Sequence, residues 1–106
     1  MTTADFETEA GKFLNEVQEM LRLKGADYAT AADPLDNFKA AALILGADPL
    51  QVWLVYAAKH FLAVRGYLEK GRAASEPIRG RFLDLAAYAV LGSMLVGDKG
   101  GTTSHA

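Results

Sequence analysis

Apolar positions recur along this chain at helical spacing, in four segments separated by Gly, Pro and Asp. Phe6, Ala10, Phe13, Val17 and Leu21 fall three or four residues apart, the period of one face of an α-helix. They predict a first helix over residues 4–23 with this face buried. Glu7, Glu16, Glu19 and Arg22 fall mostly on the other side. Early acids and the late Arg22 and Lys24 suit the helix dipole, and Gly25 offers a stop. Residues 25–32, GADYATAA, then read as a loop.

Asp33-Pro34 restarts a helix, with Asp33 as N-cap, Pro34 at the first helical position and Asp36 at the third. This second helix is predicted to end near Leu45, before Gly46, with Leu35, Phe38, Ala42 and Leu45 inward. Asp48-Pro49 repeats the start signal for a third helix over residues 49–70, stopped by Gly71. That helix is apolar nearly all round, and its polar exceptions are Gln51, Lys59, His60 and Arg65. Ser75 can cap a fourth helix, with Glu76 and Pro77 in its first turn and an end near Val96. Strand-like alternation, hairpin dipeptides and internal repeats are absent.

The pattern predicts an all-α protein, a compact four-helix bundle. Residues 1–97 form a single helical domain and residues 98–106 a flexible tail. A domain this small can surround only one helix that is apolar on every side, and this chain has two. We therefore expect a homo-oligomer with the third or fourth helix at the interface.

Composition narrows the picture. A chain of 106 residues suits one core, and 51% hydrophobic with 23% charged residues is a globular balance. The net charge of −2 leaves no basic surplus for general DNA or RNA binding. Without cysteine there are no disulfides or thiolate zinc sites, which fits a reducing cytoplasm. The start, MTTADFETEA, is not a signal peptide. Lys59, His60, Arg65, Arg81 and Asp84 interrupt the apolar runs, so no membrane span is expected.

Candidate chemistry centres on residues 76–91, EPIRGRFLDLAAYAVL. Glu76, Gly80, Asp84 and Tyr88 recur every four residues and line one side of a helix, with Arg81 at its edge. Ile78, Phe82, Leu83, Leu85, Val90 and Leu91 are expected in the core. A carboxylate among such neighbours must be paired, metal-bound or facing a cavity. Lys59 in the third helix is the obvious partner for Asp84, and His60, about 100° away on that helix, then faces solvent. Tyr56 lies one turn before both. Arg81 can also pair with Asp84 directly. Glu76 and Asp84 are about 12 Å apart along a helix, too far to share one metal ion.

Lys24, Asp27 and Tyr28 place a cation, a carboxylate and a phenol within a few residues. They can meet a phosphate and stack on a base, or serve as a helix end and a loop Asp. Asn37, beside Phe38, can hydrogen-bond a loop or a ligand base. Glu16-x-x-Glu19 puts two carboxylates on one face, as a magnesium site needs, although a solvated acidic face has the same pattern. Gly-rich phosphate loops, nucleophile elbows, HExxH and CxxC are absent.

KGADY, DNF, YAAKH and the sequence from Glu76 through RFLDLAAYAVL together resemble small phage and prophage proteins of the nucleotide-modification-associated type. That group is loosely similar to the MazG-like all-α nucleotide pyrophosphatases. The resemblance covers roughly residues 10–96 and is most specific in DLAAYA. Matching positions are Lys24, Asp27, Tyr28, Asn37, Phe38, Lys59, Glu76, Asp84 and Tyr88. DYA stands here in place of DYG, and of the ExxE…ExxD magnesium signature only Glu16 and Glu19 are present.

The resemblance implies a cytoplasmic nucleotide-binding protein (in the host cytoplasm if phage-encoded). One form is a sponge that sequesters an immune signalling nucleotide, cyclic ones included, with no cofactor needed for binding. The ligand-binding residues are then expected among Lys24, Asp27, Tyr28, Asn37, Tyr56, Lys59, His60, Glu76, Arg81, Asp84 and Tyr88. Lys24, Lys59, Arg79 and Arg81 can meet phosphate, and Tyr28, Tyr56 or Trp53 can stack a base. One alternative is a magnesium-dependent nucleoside triphosphate pyrophosphatase or accessory enzyme, with Glu16, Glu19, Glu76 and Asp84 as metal ligands and Lys59 contacting phosphate. Another is a helical protein-interaction module.

Overall fold

Asp48 and Gln51 cap the longest apolar helix at its start. The Asp48 carboxylate accepts the Leu50 N–H at 2.8 Å, and the Gln51 side-chain oxygen accepts the Asp48 N–H at 2.8 Å. This reciprocal pair satisfies amides that have no partner inside the helix, and Pro49 follows without an N–H to waste. The computed structural model describes residues 1–28, 33–72 and 77–98, except for the side chains of 25–28. Its helices are α1 (Thr3–Tyr28), α2 (Asp36–Leu45), α3 (Pro49–Lys70) and α4 (Ile78–Asp98). Among the described residues there is no strand. The fold is a compact all-α bundle, as the periodicity predicts.

Packing runs α1–α4–α3–α2, and the α3–α4 contact is the most extensive. His60 meets Asp84 and Trp53 meets Tyr88, so α3 and α4 run antiparallel. Glu16 meets Arg79 near the start of both packed stretches, while Leu21 and Lys24 share a cleft with Ala87 and Leu91, so α1 and α4 run parallel. Gly46 and Gly71 end α2 and α3 in the left-handed conformation, at φ 66° and 73°, where a Cβ is strained. Across the Gly46 turn the α2 and α3 axes bend by 107°.

The core joins Leu35, Phe38, Ala42, Val52 and Leu95, with Trp53, Tyr88 and Leu91 packed against it. Several expectations are corrected. α1 does not stop at Gly25 but stays helical to Tyr28. Gly25 therefore lies within the helix, a tolerable cost of about 1 kcal/mol against Ala. Asp33 does not cap α2 directly. Its carboxylate accepts the Leu35 N–H at 2.9 Å and shapes a turn ahead of Asp36. Phe6 is exposed. Phe13, seven residues later, already lies against Arg79 in the first turn of α4, so Phe6 overhangs the end of its partner helix.

Leu45 is exposed as well, because the last turn of α2, Leu43 to Leu45, runs out past the core. Phe82 is exposed on the side of α4 that neither α1 nor α3 covers, the side of Ala89, Ser93 and Val96. By length and composition α4 passes for a membrane-spanning helix despite Arg81 and Asp84, a test that the core helix of a bundle also passes. The expected Ser75 cap and residues 99–106 of the tail lie outside the described residues.

Candidate functional site

A cleft of about 440 Å³ opens where all four helices approach one another. Leu21 and Lys24 of α1 form one wall, and Ala87, Tyr88 and Leu91 of α4 another. Asn37 and Phe38 of α2, Pro34 ahead of it and Tyr56 of α3 complete the lining. The volume falls within the range of about 300–1,000 Å³ for small-molecule pockets, and the lining has their character: mostly apolar and aromatic, with few polar groups. Four residues selected from the sequence, Lys24, Asn37, Tyr56 and Tyr88, are brought together here from four different helices.

The aromatic wall is ordered around buried Phe38. Its ring lies 5.9 Å from Tyr56 at a tilt of 55° and 6.4 Å from Tyr88 edge-on at 76°, separations typical of favourable aromatic pairs. Phe38 thus spaces the two tyrosines. Trp53 supports the wall from behind. Its Nε1–H donates to the Tyr88 carbonyl at 2.7 Å, fixing the α4 backbone at the cleft. Gly92, one turn further, makes room: a Cβ there would lie 2.8 Å from two indole carbons. Trp53 is therefore committed to the core and is corrected as a stacking candidate.

His60, Asp84 and Arg81 form a polar cluster next to Tyr88. The His60 ring lies 5.2 Å from the Tyr88 ring. Its Nδ1 is 3.3 Å from an Asp84 carboxylate oxygen and 3.4 Å from an Arg81 Nη. Nδ1 thus stands between an acceptor and a donor, and the tautomer decides which it engages. Burial is the largest influence on His60 and lowers its pKa. Asp84 opposes that shift, while Arg81, Lys24 and Lys59 add to it. The histidine is therefore held toward its neutral form.

This corrects the expected Lys59–Asp84 pair. Lys59 is exposed, and the half-buried group facing Asp84 is His60. The 100° between neighbouring helix positions lets only one of the two face α4, and the ring goes inward while the ammonium stays in water. Arg79 also leaves the set of phosphate candidates. It holds Glu16 through two hydrogen bonds of 2.8 and 2.5 Å and lies 5.5 Å above the Phe13 ring.

Glu16 and Glu19 are each ion-paired to an arginine. Arg79 pairs with the first and Arg22 with the second, and each arginine holds its carboxyl below the ordinary value. Among the described residues there is no group of three or more His, Asp or Glu placed to hold a metal ion. Glu76 and the side chains of Asp27 and Tyr28 lie outside the described residues.

The sequence reading missed Pro34, Ala87 and Leu91 as lining residues. Ala87 and Leu91 sit three residues after Asp84 and three after Tyr88, so extending the polar stripe by one helical row would have found them. It also missed Lys39, which bridges Asp33 and Asp98 at 2.6 and 2.5 Å and ties the turn before α2 to the end of α4. Comparison with protein-family models, curated proteins and solved structures finds no match.

Proposed function

We propose that the protein binds a nucleotide in the four-helix cleft and acts by binding rather than by metal-dependent hydrolysis. The observation that supports this reading is the convergence of Tyr56, Tyr88, Asn37 and Lys24 on one cleft of ligand size. Tyrosine faces stack on a base of any kind, an Asn amide pairs with a base edge, and a Lys ammonium at the wall meets phosphate. Arg81 extends the positive side of the site beyond Tyr88, with the neutral His60 ring beside it as a hydrogen-bonding group. The pyrophosphatase reading is disfavoured by the engagement of Glu16 and Glu19 with arginines. Sequestration of a signalling nucleotide by a small phage-type protein is the biological form in which binding alone suffices.

The test is thermal unfolding against a panel of linear and cyclic nucleotides, with and without magnesium. A ligand at a hundred times its Kd adds about 2.7 kcal/mol, or roughly 10–20 °C for a domain of this size. We expect one nucleotide class to give such a shift without magnesium, and Tyr56→Ala or Lys24→Ala to remove most of it. Stabilisation only with magnesium, with pyrophosphate released, would support the enzyme instead. No shift with any nucleotide would leave the interaction module.

A further inference from the structure

The side of α3 turned away from the cleft carries a second pattern. Gln51, Leu54, Ala58, Phe61, Arg65 and Leu68 follow one another at spacings of three and four. This is the 3.5-residue period of a helix that packs along another helix, with Val55, Leu62 and Glu69 beside it at the next heptad position. None of these residues is buried. Leu54, Val55, Phe61, Leu62 and Leu68 are between 56% and 76% exposed. α2 and α4 pack on the other faces of α3, through Val52, Trp53 and Ala57, so among the described residues no helix packs extensively on the seam.

We propose that a second copy of this chain covers the seam, with the two α3 helices antiparallel. The five large apolar residues expose about 500–600 Å², at the upper end of the largest patch on typical monomers. With the stems of Gln51, Arg65 and Glu69 the face approaches the about 800 Å² per partner of a standard interface. The seam is also self-complementary in one direction. Antiparallel, small Ala58 receives the partner's Phe61, and the two-fold axis repeats that contact in reverse. Val55 then lies beside the partner's Leu62, and the stem of Arg65 lies over the partner's Leu54. A parallel pair would instead set Arg65 against the partner's Arg65 within the seam, a repulsion of like charges. Tyr56 faces the opposite way, so the dimer leaves the cleft open and does not depend on nucleotide binding.

The test is sedimentation of the full chain at tens of micromolar, with circular dichroism to confirm folding. We expect a dimer, loss of dimer in Phe61→Glu and in Leu62→Glu with helicity kept, and an intact dimer in Leu43→Glu. A monomer, or a dimer that survives both seam variants, overturns the proposal. So does a monomeric chain whose seam captures another protein. Orientation is read from a spin label on Glu69→Cys, the chain having no other cysteine. The antiparallel register places the two labels about 30 Å apart by helix rise, and a label distance under about 15 Å would establish the parallel pair and refute this one.

Discussion

Gly92→Ala tests how the cleft wall is built. The added methyl would lie 2.8 Å from Cε2 and Cζ2 of Trp53, where ordinary carbon contacts are about 3.5–4.0 Å. The indole must retreat by about 0.7–1.2 Å to relieve this overlap. It cannot do so and keep its 2.7 Å hydrogen bond to the Tyr88 carbonyl. Overpacking of this kind costs about 1–3 kcal/mol, and the weakened bond about 1 kcal/mol more. Alanine's better helix propensity returns about 1 kcal/mol. The net expectation is a loss of about 1–3 kcal/mol, read as a lower urea midpoint. Emission from Trp53, the chain's single tryptophan, should shift at the same time. Gly66→Ala is the control. A Cβ there meets nothing within 4 Å, so that variant should gain up to about 1 kcal/mol. Trp53→Leu should remove most of the Gly92→Ala penalty in a double-mutant cycle. A Gly92→Ala protein as stable as the parent, with unchanged emission, would refute the reasoning.

Two further outcomes follow from the electrostatics. His60 has its folded-state pKa lowered chiefly by burial, so below its ordinary value near 6.5 the unfolded chain takes up the proton first. Stability should therefore fall as pH drops from about 6.5 through the folded pKa, and His60→Gln should flatten the urea midpoint between pH 5 and 7. Glu16, Glu19 and Asp33 are held below their ordinary values, so their contributions fade only at lower pH. Glu16→Gln breaks the Arg79 tie between α1 and α4 and should lower the melting temperature less than Gly92→Ala does, while leaving nucleotide binding intact. Loss of ligand binding in Glu16→Gln, measured by calorimetry, would return Glu16 to the site.

Helix existence, order and type were legible because local chemistry decides them. Asp48-Pro49 starts α3, and Gly46 and Gly71 adopt the left-handed ends that an L residue resists. Gly25 shows the limit: a glycine permits a stop but does not compel one when the helix can continue. Burial was read less well, because periodicity says which residues share a face and not how far the facing helix extends. Phe6 overhangs α4, and Leu45 runs past the core, for that reason. At the site, Lys24, Asn37, Tyr56 and Tyr88 were picked individually by residue type, but their convergence depends on parallel α1–α4 and antiparallel α3–α4 packing, which no local pattern encodes. The choice between Lys59 and His60 turned on a rotation of one residue. The seam from Gln51 to Leu68 was visible only as excess apolarity, since its period is hidden among the core positions of the same helix.

The central claim is tested most directly by amide and indole NMR during titration with the nucleotide that gives the largest thermal shift. Binding in the cleft predicts perturbations at Lys24, Asn37, Tyr56 and Tyr88, together with the Trp53 Nε1–H that donates to the Tyr88 carbonyl, in magnesium-free buffer. Unchanged spectra at saturating nucleotide, or perturbations confined to Leu54, Phe61 and Leu68 on the far side of α3, would contradict it.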